Sequence, residues 1–181
     1  MRLTMRANQG MSAKSMPAGK SDIRAQTVSD LPAIEDLMAE AFGAGRHHRS
    51  VRHLRLCAPV DELCFVIEIE NQLVGSIRYW PIMVAQKTQL LLGPLAIHPD
   101  YKGQGYGKKL VSHSLEVAEH LSYDFVLISG EPDYYPRFGF EPVLPGTFLW
   151  PGFLETERLQ IKWFGQAHHS SAAQAILPIL P

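Results

Sequence analysis

The chain has 181 residues, 46% of them apolar and 19% charged, a mixture that excludes a disordered or collagen-like polypeptide and suits one hydrophobic core better than two. Seventeen Lys and Arg against eighteen Asp and Glu leave a formal charge of −1, so no global field draws the chain to nucleic acid or an anionic membrane, and any anion site has to be local. Cys57 and Cys64 form neither a disulfide framework nor a repeated zinc pattern; they read as reduced thiols, with a disulfide or a metal ligand as the alternatives.

Residues 1–22 read as a flexible extension, because Arg2, Arg6, Lys14, Pro17 and Lys20 interrupt any signal-peptide core. No run reaches the roughly 18 apolar residues of a membrane span, so a cytoplasmic protein is expected. A first strand is predicted over 23–28, then a helix whose apolar face is Leu31, Ile34, Leu37, Met38, Ala41 and Phe42, with Pro32 in its first turn. The basic stretch 46–56 is either a second helix or, through His47 and His48, an exposed feature beside a substrate. Strand composition returns at 63–69, with a hairpin connection at Asn71-Gln72, a partner strand over 73–80 and a further strand over 87–97. Pro94 must either turn an unpaired position away from the neighbouring strand or break that strand.

The turn at 98–103 leads into a helix over 105–121, with Leu110, Val111, Leu115 and Ala118 on one face, and then a strand over 125–129. Strand, turn, helix and strand in that order make a crossover between parallel neighbours. An aromatic segment at 134–140 follows, with more strand structure over 148–164 and a tail at 165–181 whose apolar end at 176–180 could dock. One domain at 23–164 is expected.

The sharpest motif is Lys102-Gly103-Gln104-Gly105-Tyr106-Gly107-Lys108, just beyond the strand end Leu95-Ala96-Ile97. Its glycines permit close backbone approach, and consecutive amides at a helix start form a concave donor array for phosphate oxygens. Lys102 and Lys108 supply the local positive charge that the whole chain lacks. The run does not match the G-x-x-x-x-G-K-[ST] phosphate loop. No acid ends the next strand as a dinucleotide ribose would require, since Asp124 stands at that strand's start.

These residues resemble the GCN5-related N-acetyltransferase (GNAT) superfamily, whose pattern after the strand is Arg or Gln, two variable residues, Gly, a variable residue, and Gly or Ala. Lys102 stands where Arg or Gln is usual. The resemblance extends over about 23–164 and is strengthened by Gly130-Glu131-Pro132-Asp133-Tyr134-Tyr135-Pro136-Arg137-Phe138-Gly139-Phe140, which looks most like a bacterial branch with poorly defined acceptors. It implies a mixed α/β fold: a twisted mixed sheet of about six or seven strands flanked by helices in three layers. It implies acetyl-CoA or another acyl-CoA as co-substrate and no metal. The main chain of Leu95, Ala96 and Ile97 would take the pantetheine arm, and Lys102, Gly103, Gln104, Gly105, Tyr106, Gly107 and Lys108 the pyrophosphate. Tyr135 matches the family's tyrosine beside the acyl-CoA sulfur.

Direct attack by a neutral amine follows from the resemblance, so the cysteines are packing residues. The general base is open among Glu62, Glu68, Glu131, Asp133, His47, His48 and His98, or water. The expected acceptor is a small molecule or peptide amine at a rim containing His47, His48, Arg49, Glu131 and Asp133, on a monomer or homodimer. Nucleic acid and membranes are not expected partners. A non-catalytic acyl-CoA sensor, a structural or interaction protein on this fold, and an O-acyl or acyl-carrier-dependent transferase are the alternatives.

Overall fold

The computed structural model describes residues 22–43, 51–150, 156–165 and 173–181. Strands β1 (Asp22–Ala25), β2 (Phe65–Ile69), β3 (Gln72–Val84), β4 (Lys87–Ile97), β5 (Phe125–Ser129), β8 (Leu159–Trp163) and β6 (Glu141–Pro142) follow the spatial order β1-β2-β3-β4-β5-β8-β6. Strand β9 (Gln174–Pro178) pairs with β3 and with the short β7 (Phe148–Leu149), giving nine strands among the described residues where six or seven were expected. Helix α1 (Leu31–Phe42) lies against β3 and β4, and helix α2 (Tyr106–Ala118) against β2, β3 and β4.

Alternation along β4 divides the core. Leu90 and Leu92 join Ile67, Ile77, Tyr79, Leu110 and Val111 under α2. Leu91 points the other way and joins Val51, Leu54, Ile82, Leu127, Ile161 and Ile176. The apolar stripe read for α2 is buried as expected, with Leu110, Val111 and Ala118 fully covered.

Several boundaries differ from the sequence reading. The β2–β3 turn is Glu70-Asn71, one residue earlier than expected, because Ile69 pairs with Gln72; both turn residues have positive φ, 51° and 64°. A second tight turn, Ala85-Gln86, lets β3 run on to Val84. The described end of the stretch 46–56 is a short 3-10 turn, Arg52–Leu54, anchored by fully buried Leu54. Within the segment read as a tail, Ile176 is buried and opposite Val84 in the β9–β3 pairing. Strand β1 stops at Ala25, where Arg24 grips Asp30 with two hydrogen bonds of 2.7 and 2.8 Å and donates a third, of 2.8 Å, to Glu68.

Pro94 neither ends β4 nor occupies a regular rung. Leu92 pairs with Tyr79 and Leu95 with Ile77, so Gly93 and Pro94 are the extra material of a bulge opposite Arg78. Gly93 has φ +115°, a region that L side chains rarely adopt.

Candidate active site

The bulge sits where β4 leaves β5. Their parallel ladder spans only Leu90↔Val126 and Leu91↔Leu127, while β5 stays paired with β8 up to Ser129↔Leu159. Beyond Leu91, β4 therefore has β3 on one side and an open edge on the other. The crossover helix α2 starts beside that opening, and two clefts meet there.

The first cleft, of about 240 Å³, lies between the end of β4 and the glycine-rich turn. It gathers Leu95, Ile97, Lys102, Gly103, Gly105, Tyr106 and Gly107, together with Phe42 of α1 and Tyr134. Gly103 and Gly105 hold φ +78° and +88°, and Gly105 is the N-terminal cap of α2 without any side-chain cap. The turn thus needs glycine for its backbone, and its first helical amides face outward at the positive end of the helix. Gln104 donates to the Asp100 carbonyl at 3.0 Å, so its side chain braces the loop. Lys108 is exposed and does not line the cleft; Ala96 is buried, with its neighbours Leu95 and Ile97 on the cleft side.

The second cleft, of about 220 Å³, lies over the bulge and the end of β5. Gly93, Tyr134, Tyr135, Glu131, Arg55 and Arg158 line it, with Met38, Phe42 and Val51 as apolar wall. Tyr134 borders both clefts, and a Cβ added at Gly107 would lie 2.8 Å from its hydroxyl. Burial pushes the Tyr134 phenol up from its ordinary value, against a smaller downward pull from Arg137, whose guanidinium lies 5.1 Å from the ring centre. The group is neutral and a donor near pH 7. Tyr135 is only 7% exposed; its ring rests on Gly130, where a Cβ would come within 2.3 Å of it, and meets Phe140 edge-on. The paired tyrosines thus serve different places: one at the seam of the clefts, the other between the second cleft and the core.

Among the expected rim residues, Glu131 reaches the second cleft, where its carboxylate holds Arg158 at 2.8 Å. Asp133 is exposed and lines neither cleft. His47, His48 and Arg49 lie outside the described residues. Arg55 and Arg158 had no sequence signal of their own; Arg55 belongs to the basic stretch 46–56, and only the fold brings it over Gly93.

The other base candidates have partners or lie apart. The Arg24 hydrogen bond holds the Glu68 carboxyl below its usual range. His98 accepts the Asp100 amide at Nδ1 and meets Glu40 through Nε2 at 2.9 Å. Cys64 is buried, donates to the Val60 carbonyl, and has its thiol pushed up to about 11 by burial, so it stays a neutral packing group.

A parallel pair that opens beyond a bulge, with a glycine turn and helix start beside the opening, defines the acyl-CoA-dependent acyltransferase fold anticipated from the turn. The chain belongs to the acetyltransferase (GNAT) family, whose model matches residues 31–140. It is 30% identical over 134 residues to the uncharacterized N-acetyltransferase YhbS of Escherichia coli K12, covering 72% of this chain and 80% of that one. It is 40% identical over 121 residues to the uncharacterized N-acetyltransferase YjhQ of the same strain, 63% of this chain and 66% of that one. Among solved structures, YhbS in complex with CoA superposes with a TM-score of 0.70 at 24% identity, over 91% of this chain and 92% of that one. A GNAT acetyltransferase from Brucella melitensis in complex with acetyl-CoA gives 0.64 at 20% identity, over 88% and 96%.

Proposed function

We propose that the protein transfers the acetyl group of acetyl-CoA to a primary amine of a small molecule or peptide by direct attack. The observation that carries this reading is the parting of β4 from β5 beyond Leu91, with the glycine turn at one end of the opening and the tyrosine-lined cleft at the other. The YhbS and Brucella structures, which hold CoA and acetyl-CoA, share that fold. An arm rich in amides can add to the open edge of β4 by main-chain hydrogen bonds, and phosphate oxygens suit the amides of Gly103 to Gly107 with Lys102 alongside.

In the reaction the amine nitrogen forms a bond to the thioester carbonyl carbon and the carbon–sulfur bond breaks. The amine gives up a proton to a base or water, and the departing thiolate takes one from a tyrosine. The motif assigns that donor to Tyr135, which borders the second cleft. A second reading assigns it to Tyr134, because its hydroxyl stands at the seam of both clefts. The acceptor enters over the bulge, where Glu131 forms part of the cleft lining.

Free-CoA release from acetyl-CoA across a panel of amines, with Tyr135→Phe and Tyr134→Phe in parallel, tests both points. The expected result is amine-dependent release that one tyrosine variant lowers about 100-fold or more with acetyl-CoA affinity retained. Acetyl-CoA binding without release for any amine supports a sensor instead.

A further inference from the structure

The first cleft takes its walls from distant parts of the chain, and a hydrogen bond outside the cleft joins them. We infer that Glu40 and His98 are positioning residues for the acyl-CoA: their contact clasps the last turn of α1 to the end of β4 and so fixes one wall of the cleft. This rests on the acyl-CoA reading above and adds to it two residues that line neither cleft.

One wall is the end of α1, where Ala41 and Phe42 line the first cleft and Met38 and Phe42 the second. The other walls are the end of β4 and the glycine turn that follows it. Phe42, Leu95 and Tyr134 border both clefts, so they mark where the two meet. A displaced Phe42 would therefore change both clefts at once. Helix ends fray, and the fully covered anchors of α1, Ile34 and Leu37, stand one to two turns before Phe42. The helix stops at Gly43, where φ is +63°.

Glu40 lies on that last turn, and its Oε2 meets Nε2 of His98 at 2.9 Å. His98 is itself held from the sheet and the turn. Its amide donates to the Val74 carbonyl at 2.9 Å, and its carbonyl accepts the Tyr101 amide at 2.9 Å. Its Nδ1 accepts the Asp100 amide at 3.3 Å, which leaves Nε2 as the N–H that donates to Glu40. The ring meets Tyr101 edge-on at 5.7 Å, and Tyr101 meets Tyr106 at 6.1 Å; both tyrosines line the first cleft. The His98 side chain is only 18% exposed, so the bond is partly shielded from water, and its carboxylate acceptor strengthens it. With the bond made, Ala41 and Phe42 keep the place from which they line the clefts. With it broken, the helix end has more positions open to it, a smaller fraction of molecules presents the complete cleft, and ligand affinity falls by that fraction.

The test uses the full chain and measures the affinity for CoA and for acetyl-CoA by titration calorimetry, with the melting temperature of each variant alongside. Glu40→Ala places a good helix former at an exposed position, so it folds, and His98→Phe keeps a ring against Tyr101. Each is expected to weaken acetyl-CoA binding about 3- to 10-fold. The melting temperature is expected to stay within about 3 °C of the wild type, a split that a merely structural contact would not produce. The two losses are expected to overlap in the double variant, because both remove the same bond. Glu40→Gln keeps an acceptor for the Nε2 hydrogen and is expected to bind within about twofold of the wild type. Asp36→Ala, one turn earlier on the exposed face of α1, is expected to do the same and controls for lost charge and helix content. Wild-type affinity in Glu40→Ala, an equal loss in Asp36→Ala, or fully additive losses in the double variant overturns the clasp and leaves the acyl-CoA reading standing. A wild-type protein that binds neither CoA nor acetyl-CoA overturns that reading and the clasp with it.

Discussion

Gly107→Ala separates the needs of the fold from the needs of the site, because the two pull in opposite directions. In the first turn of α2, replacing Gly by Ala gains up to about 1 kcal/mol of helix propensity. The new Cβ would stand 2.8 Å from the Tyr134 hydroxyl, so the phenol has to retreat by roughly 0.5–1 Å to reach ordinary contact. That hydroxyl is the far end of a half-buried side chain, and an off-rotamer shift costs about 0.5–1.5 kcal/mol, which roughly cancels the helix gain. Ile97 and Leu95, at 3.6 and 3.9 Å, are not crowded. The variant is therefore expected to melt within about 3 °C of the wild type while losing about 10- to 100-fold in kcat/KM for acetyl-CoA. Scanning calorimetry and free-CoA release measure the two quantities. In the double variant with Tyr134→Phe, which removes the obstructing oxygen, the two losses are expected to overlap. A large drop in melting temperature with unchanged turnover, or fully additive losses, would refute the placement of Tyr134 at the helix start.

Three other consequences can be measured. Gly130→Ala brings a Cβ within 2.3 Å of the Tyr135 ring, which Phe138 and Phe140 flank, and is expected to destabilise by about 1–3 kcal/mol in denaturant titration. Asp30 is held well below the usual carboxylate range, first by its hydrogen bonds from Arg24, so its contribution to stability is complete above the unfolded carboxylate pKa near 4 and is lost as pH falls toward the depressed folded value. Asp30→Asn is accordingly expected to lower the melting temperature at pH 7 by roughly 5 °C and to flatten its fall below pH 4, as followed by circular dichroism. Gln86→Gly in the turn between β3 and β4, where φ is +63°, is expected to raise stability by about 1 kcal/mol with no effect on acetyl-CoA binding.

The parts of the fold with strong local patterns were readable from the chain. The helical spacing from Leu31 to Phe42 and the strand, glycine turn, helix and strand from 87 to 129 both place the first cleft. The β2–β3 turn moved by one residue because register is settled by the pairing of Ile69 with Gln72, which no propensity reveals. Strand β9 was obscure because its signal is five residues long and its partners, β3 and β7, stand far away in sequence. The cation side of the second cleft was hidden for a related reason. Arg55 and Arg158 are separated by about a hundred positions, and neither forms a motif until the bulge at Gly93 and the β5–β8 pairing bring them to one opening. The motif favours Tyr135, whereas only side-chain placement distinguishes its buried ring from the reach of Tyr134.

The most direct test is mass spectrometry of an amine acceptor incubated with acetyl-CoA and the purified protein, with free CoA titrated in the same sample. The account predicts acceptor heavier by one acetyl group, formed in equal amount with free CoA and abolished when both tyrosines are changed to Phe. Acetyl-CoA that binds but stays intact with every amine offered, or CoA released without any acetylated acceptor, would contradict it.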